Sequence, residues 1–418
     1  MKTKPQVQTL KGFRDFLPTE ARKRAFVTSK IKASFELFGF EPLQTPTLEY
    51  ASLLTGKYGE EADKLLYTFE DRGGRQVGLR YDQTVPTARV LAQYQNELPK
   101  YFRRYQIQNV FRADKPQKGR YREFTQCDVD IFGASSPLVD AEFLAVVNAV
   151  FENLGLKSAQ IEFNDRELLI GSLEEFANQK VSVLSIIQSI DKLDKLSPEQ
   201  VIAELMAKGL DQTLAEAVIV KLDQIEKSSN LVEIEQKALA LGVPADKLVF
   251  NPKLARGLDY YTGIIFEVKI AEYGNVSVGG GGRYDQLIED LAGLKMPAIG
   301  IGLGFDRIVE VCDDLDLIPQ DNMGSQVLVT IFDDDQSEIA ALKLAQELRQ
   351  NGIKTELYLK RDRLGKQFKL AQQKNIPWVT VIGQKEIEQD LIGLKNMSTG
   401  QQDQLSLEKV ILKIKASN

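Results

Sequence analysis

Three patterns of apolar residues succeed one another along this chain of 418 residues, and no single sheet or helical bundle can satisfy all three. In the first, a helical period over residues 20–39 stops at Gly39, suited to the left-handed position that ends many helices. FEPLQTPTLEY (40–50) reads as one extended, proline-punctuated strand. Within 63–80, LLYTFE, DRGG and RQVGLR spell strand, turn and strand. YFRRYQIQNVFR and RYREFTQCDVDIFG form a longer strand pair joined by the loop ADKPQKG, and a helix follows over about 137–154. The second pattern, about 171–241, is helical and poor in aromatics. Ser197, Pro198 and Gln200 mark one helix start there, serine capping the helix and glutamine reaching back. Strands return in LDYYTGIIFEVKI, NVSVGGGGRYD and AIGIGLGFDRIVEV, the last running into a helix. The third pattern begins beyond a polar linker near 316–325 that carries Pro319 and Gly324. QVLVTIF, a helix over 336–350, KTELYL, a helix over 364–374 and PWVTVIG then alternate as β-α-β-α-β, a small α/β domain with its own sheet. The expected fold is therefore α+β, divided at 1–170, 171–242, 243–318 and 325–418, with the second piece an inserted helical module.

The chain contains no histidine, where a usage of about one residue in fifty would give about eight. That absence excludes a Ser-His-Asp triad, a Cys-His pair, histidine-ligated zinc and any imidazole base. Two cysteines, Cys127 and Cys312, are too few for a disulfide framework and suit a reducing compartment. The first residues, MKTKPQVQTLKGFRDFLP, carry no apolar segment of the signal type, and no apolar run approaches the roughly 20 residues that cross a bilayer. A cytoplasmic location without membrane contact is expected. No G-x-x-x-x-G-K-[ST] loop is present, and GIGLGFDR (300–307) misplaces the third glycine of a dinucleotide fingerprint. Chemistry here must run on carboxylates, guanidinium groups, backbone amides and metal ions.

A net charge of −6 hides a strongly basic stretch. Between Lys100 and Arg122, eight basic residues (Lys100, Arg103, Arg104, Arg112, Lys115, Lys118, Arg120, Arg122) face one acid, Asp114, and are interleaved with aromatics. That pattern predicts a strand pair facing an anionic ligand, against the alternative of a solvated loop. Arg80, Arg112, Arg256 and Arg307 lie in strand or turn contexts flanked by apolar residues. A guanidinium cannot shed its charge, so each needs an anionic partner, and four together with the bare backbone of Gly279–Gly282 point to a polyphosphate. Asp82, Asp128, Asp130 and Asp259 could meet a cationic or proton-donating group of a second substrate. An anionic nucleotide joined to a cationic small molecule is what nucleotidyl transfer requires.

KGFRDFLP (11–18), LRYDQTVP (79–86), FRADKPQKGRYREFTQCDVDIFG (111–133), ARGLDYYTG (255–263), GGGGRYD (279–285) and GIGLGFDRI (300–308) make the chain resemble the histidyl-tRNA synthetases, class II aminoacyl-tRNA synthetases, over essentially its whole length. RGLDYYTG resembles the histidine-recognition motif of that family. The resemblance implies an antiparallel catalytic sheet of six or seven strands with a helical insertion. It also implies a homodimer formed through the first class II motif around Pro46, and a C-terminal α/β anticodon-binding domain. The implied substrates are ATP with Mg²⁺, L-histidine and histidine tRNA. No metal ligand among the side chains is implied.

Residue by residue, the resemblance gives Arg112 to the ATP α-phosphate, Arg307 to the γ-phosphate and Arg256 to the α-phosphate as a further cation. These three are the implied catalytic residues. Phe124 would stack on adenine, and Asp114 would sit by its amino group or the tRNA end. Asp130 and Tyr261, with Tyr260 beside them, match the positions that hold the imidazole; Asp82, Thr84 and Gln126 match those that hold the α-amino group. Gln117 and Lys118 are implied at the tRNA acceptor end. Arg361 and Arg363, in a basic cluster with Lys360, Lys366 and Lys369, are implied as tRNA contacts, the alternative being a solvated helix face. Position 82 is Asp where many bacterial members carry Glu, and Gln83 and Thr125 are unusual neighbours expected to tune packing. Two competing readings are a silent regulatory paralogue that partners ATP phosphoribosyltransferase and a non-enzymatic tRNA-sensing module. The first predicts loss of RGLDYYTG and of the C-terminal domain, the second decay of Arg112, Arg256 and Arg307, and all are present. A charging enzyme without histidine would remain translatable when charged histidine tRNA runs out; drift or engineering would equally leave a chain without it.

Overall fold

Two long strands rich in Gln, Arg and Asp pair so that their polar side chains share one face. β5 (Phe102–Phe111) and β6 (Glu123–Phe132) run antiparallel, with Arg104 opposite Asp130, Gln106 opposite Asp128 and Gln108 opposite Gln126. Successive strand residues alternate sides, so these three pairs lie in a row on the same face. The computed structural model describes residues 7–56, 64–117, 119–256, 260–274, 276–319 and 324–416, and the chain separates into two units, Met1–Leu317 and Ile318–Asn418.

In the first unit, eight strands form the main sheet. In chain order they are β1 (Glu41–Pro42), β5, β6, β7 (Ala159–Asp165), β8 (Leu248–Phe250), β9 (Ile264–Ile270), β10 (Val276–Arg283) and β11 (Ala298–Leu303). Their spatial order is β1-β5-β6-β11-β10-β9-β7-β8. The inner pairings are all antiparallel, and the sheet exceeds the six or seven strands implied because short strands β1 and β8 join the edges in parallel. The extended segment 40–50 is not one strand. Its second half becomes β2 (Leu48–Tyr50), which pairs with β4 (Gln76–Leu79) and through it with β3 (Tyr67–Glu70) in a separate small sheet. Proline at 42 and 46 removes two ladder donors, and the chain crosses between sheets there.

Helices Pro18–Leu37 and Pro137–Leu154 contact each other, and the second covers the sheet through Phe143, whose ring lies 5.6 Å from that of Phe266 on β9. The second is legible from its ends: Ser136 accepts the Val139 amide, Pro137 opens the helix and Gly155 ends it at φ 83°. Residues 166–240 form helices Arg166–Leu173, Val183–Ile190, Pro198–Lys208, Gln212–Leu222 and Ser229–Ala240, and Ser197 with Gln200 makes the anticipated reciprocal cap. Among the described residues of LDYYTGIIFEVKI, those from 260 to 263 are not strand, which begins at Ile264.

The second unit holds a five-stranded sheet of β12 (Val327–Val329), β13 (Thr355–Leu357), β14 (Trp378–Val381), β15 (Ile392–Asn396) and β16 (Gln402–Leu405). β13, β12 and β14 are parallel, as the β-α-β-α-β pattern requires; β15 and β16 add antiparallel strands that the alternation did not announce.

Candidate active site

Four glycines in the centre of the main sheet leave its floor bare. Gly300 and Gly302 of β11 stand beside Asp130 and Asp128 of β6, and on the other side pair with Gly282 and Gly280 of β10. A Cβ at Gly300 would fall on the Asp130 carboxylate, and one at Gly280 would fall on the Arg256 guanidinium. Any larger residue there would fill the space above the sheet.

Two adjoining cavities open over this floor. The smaller, about 430 Å³, is walled by Asp82, Thr84, Asp130, Arg256, Tyr260, Tyr261 and Tyr284 among others. The larger, about 930 Å³, is walled by Asp114, Phe124, Arg307, Arg14, Arg24 and Glu310 among others. Arg112, Gln126, Asp128 and Gly302 line both. Most residues expected to hold an amino acid thus converge on the smaller cavity and Asp114, Phe124 and Arg307, expected to hold a nucleotide, on the larger; Arg112 and Gln126 line both, and Arg256, expected at the α-phosphate, lines the smaller.

In the smaller cavity Asp130 is 5% exposed and already engaged on both oxygens. Arg104 Nη2 lies 2.6 Å from Oδ2, and the Tyr284 hydroxyl donates to Oδ1. Burial raises the Asp130 carboxyl above its ordinary range against the opposing pull of Arg104 and Tyr284. Tyr260 and Tyr261 pack ring to ring at 4.6 Å, Tyr260 meets Tyr284 edge-on at 6.2 Å, and burial pushes the Tyr260 phenol up. Asp82 Oδ1 accepts the Val85 amide at 3.1 Å, at the start of helix Thr84–Gln93. Arg256 adopts a left-handed backbone, φ 44°, costly for a side chain of this size, and its Nη1 bonds Glu267 of β9 at 2.8 Å. Its buried Nε has no protein partner.

In the larger cavity Arg112 Nε donates to the Tyr81 carbonyl at 3.0 Å, with the guanidinium carbon 5.1 Å from the Phe124 ring centre. Arg307, in the first turn of helix Phe305–Asp314, donates to the Ser277 carbonyl. Asp114 is paired with Arg120 at 3.1 Å.

Several expectations change. Arg80 lines neither cavity: 2% exposed, it donates to the carbonyls of Asn109 and Thr45 and to Gln108, so carbonyls rather than a phosphate take its donors. Part of the basic stretch is neutralised within the fold: Arg103 pairs with Glu142, Arg104 with Asp130 and Arg120 with Asp114, while Arg122 donates to the Asp114 and Lys11 carbonyls. Of the stretch, Arg112 lines both cavities and Arg120, paired with Asp114, lines the larger. Gln83 and Thr125 do more than fill space. Gln83 donates to the carbonyls of the paired residues Gln108 and Gln126, and Thr125 joins Arg24 to Asn109. Gln117 sits exposed in the loop between β5 and β6, bridged to Arg120, and Lys118 and Asp259 lie outside the described residues. In the second unit, Arg361 is held by Asp335 and Glu338, and Arg363 precedes helix Leu364–Gln373. Tyr284 had been given no role and Arg104 only a place in the basic stretch, while Asp128, expected as one of four acids that could meet a cationic group, falls midway between Gln126 and Asp130 in a period of two.

The family model described as histidyl-tRNA synthetase matches residues 12–308, and that described as anticodon binding domain matches residues 326–417. The chain belongs to the histidyl-tRNA synthetase family. Relatives named histidine–tRNA ligase include one from Phocaeicola vulgatus, 35% identical with all of both chains covered. Another, from Christiangramia forsetii, is 37% identical over 97% of this chain and 98% of its own. The crystal structure of a histidyl-tRNA synthetase from Nostoc superposes with a TM-score of 0.87 at 28% identity, covering 99% of this chain and 100% of that one. The mixed α/β architecture is therefore that of the histidyl-tRNA synthetases, catalytic part followed by anticodon-binding part.

Proposed function

We propose that this chain activates L-histidine with ATP to histidyl-adenylate and transfers the histidyl group to the 3′ end of histidine tRNA. It is a ligase of the aminoacyl-tRNA synthetase class. One observation carries the reading of the site: a small cavity ending in Asp130, Tyr261 and Tyr284 opens, across Arg112, into a larger one containing Phe124 and Arg307. In this reading the imidazole lies toward Asp130 and Tyr261, with the α-amino end near Asp82, Thr84 and Gln126. Adenine stacks on Phe124 with Asp114 nearby. The histidine carboxylate attacks the α-phosphorus in line, and pyrophosphate leaves. No protein base is required; Arg112 and Arg256 neutralise charge at the α-phosphate and Arg307 at the γ-phosphate. Mg²⁺, when bound with the nucleotide, would supply further charge neutralisation on the leaving pyrophosphate. Among the described residues no three metal-ligating side chains converge, so no protein ligand is assigned to it and no step runs through it.

A polar pocket of this kind discriminates against apolar isosteres, which would leave buried partners unpaired. Leu48, Tyr50 and Phe69 are exposed on the small sheet beside Pro46, which supports a homodimer formed there. Gln117, Lys118, Arg361 and Arg363 remain the proposed tRNA contacts, with Arg363 the better placed of the last two because Arg361 is paired internally. A cytoplasmic setting accords with this activity, and no helix among the described residues is long and apolar enough to cross a membrane. Histidine-dependent exchange of pyrophosphate into ATP tests the reading. Exchange with histidine alone among the amino acids is expected, and exchange driven by a different one would overturn it.

A further inference from the structure

Across the floor of the smaller cavity one register row holds an acid at one end and a cation at the other. Asp128 of β6 stands opposite Gly302 of β11, Gly302 opposite Gly280 of β10, and Gly280 opposite Glu267 of β9, which carries Arg256. Asp128 and Gly280 are two strand spacings apart, about 10 Å, with only glycine backbone between them. Asp128 is 6% exposed, and its Oδ1 has no hydrogen-bond partner although it lines both cavities. Gln126 Oε1 and Asp130 Oδ2 likewise lack a hydrogen bond, but among the acids Asp130 has the ion pair with Arg104 and the Tyr284 hydroxyl, and Asp82 Oδ1 has the Val85 amide. A buried carboxylate with an open oxygen and no ion pair of its own lacks a cationic or donating partner.

We propose that Asp128 is the seat of the α-ammonium group of the amino acid substrate, so that the Asp128–Arg256 row holds the two charged ends of a zwitterion. This role rests on the function proposed above and adds a residue to it. The geometry distinguishes the ammonium from the imidazole. Asp130 lines only the smaller cavity, whereas Asp128 lies where the two cavities join. The reacting carboxylate must reach that junction to meet the α-phosphorus, and the ammonium is one carbon away from it.

The charged groups that face Asp128 are Arg104 from β5, Asp130 from its own strand, Asp82 ahead of helix Thr84–Gln93 and Arg112 after β5; β11 presents only Gly302. Burial, reinforced by Asp130 and Asp82 and opposed by Arg104 and Arg112, raises the Asp128 carboxyl to about 7. The Asp128 carboxyl therefore takes up a proton as the pH falls through neutrality, and a neutral carboxyl no longer attracts an ammonium.

Three ligands decide the matter: histidine, histidinol and 3-(imidazol-4-yl)propionate, which lacks the amino group. Their binding to the native full-length protein and to its Asp128→Asn variant is measured by calorimetry or competition. Loss of a charged hydrogen-bond partner is expected to weaken histidine and histidinol about 10- to 100-fold and to leave the propionate within about twofold. In the native protein, the Kd of histidine relative to that of the propionate, each corrected for the separately titrated imidazole of that ligand, should rise about tenfold from pH 8 to pH 6. The correction is needed because the α-ammonium lowers the imidazole value of histidine below that of the propionate, and this measurement needs no variant to fold. Equal weakening of all three ligands, or a ratio independent of pH, would overturn the role of Asp128. Native protein that binds histidine while Asp128→Asn binds it unchanged removes this role alone; native protein that binds no histidine removes the proposed function with it.

Discussion

Replacing Arg104 by methionine keeps an unbranched apolar stem and removes the charge that stands opposite Asp130. Arg104 is 1% exposed, and its Nη2 is 2.6 Å from the carboxylate. With charge centres about 4 Å apart and an effective dielectric near 20, the attraction is about 4 kcal/mol. Breaking a buried pair from one side commonly costs about 3–5 kcal/mol, because the remaining charge stays buried. Asp128 loses the same counter-charge, since Arg104 is also the chief influence opposing its burial. The cost should depend on pH in a definite direction. Both carboxyls already sit above their ordinary values in the folded chain, so each loses stability as the pH climbs from the unfolded value, about 3.9, toward the folded one. Without Arg104 the folded values rise further and that loss extends to higher pH. The variant should therefore be destabilised by about 3–5 kcal/mol at pH 8 and by distinctly less at pH 5, where neutral acids need no counter-ion. Urea unfolding followed by circular dichroism from pH 5 to pH 8 measures this. The single tryptophan, Trp378, lies in the second unit, and its fluorescence transition should stay where it is. Adding Asp130→Asn should recover more than half of the loss at pH 8. A penalty below about 1 kcal/mol, or one equal at pH 5 and pH 8, would refute the assignment of Arg104 as the counter-charge of these acids.

Two further outcomes follow from the floor and the interior. Gly280→Ala puts a methyl group where the Arg256 guanidinium lies, so pyrophosphate exchange should fall about 100-fold. Gly365→Ala, whose Cβ meets open space, should leave exchange unchanged, and equal activity of the two variants would contradict the crowding argument. Cys127 and Cys312 are both buried, and burial raises both thiols, that of Cys312 to about 12. A disulfide reagent at pH 8 should find neither thiol in native protein and both in urea, as read by absorbance; fast reaction of either native thiol would show that the packing around it is wrong.

How far the sequence reveals such features depends on whether they are local. The helix Pro137–Leu154 was readable because its cap, its proline and its terminal glycine are neighbours of the turns they control. The strand pair was readable because polar and apolar residues alternate through the middle of each strand, Arg104–Gln108 and Gln126–Ile131, and Pro116 and Gly119 mark the loop between them. The glycines at 280 and 282 announced a bare floor because a strand loses packing by having them, and the close contacts at both positions fit that reading. Arg80 misled because its partners are carbonyls of Thr45 and Asn109, tens of residues away, and a carbonyl has no signature in sequence. Arg104 was hidden within a run of like charges, where only the register of β5 on β6 singles out the arginine that meets Asp130. The extended segment 40–50 divides between two sheets for a similar reason: strand propensity is local, and the choice of partner strand is not.

The absence of histidine acquires a second meaning once these acids are placed. In most enzymes an ionisation near neutrality belongs first to an imidazole, whose ordinary value lies there. This chain has none, so, apart from an α-amino group, proton binding between pH 6 and pH 8 comes from displaced groups, and burial has displaced Asp128 to about 7. The other neutral-range titration in the binding reaction belongs to the side chain of the histidine ligand itself. Enzyme and substrate thus carry complementary groups, a carboxyl in the wall and an imidazole in the ligand, and only the first remains when the amino acid is absent. A pH profile of the free protein should then reflect the carboxylates beside Arg104, and the additional dependence on adding histidine should reflect the ligand and the seat it fills.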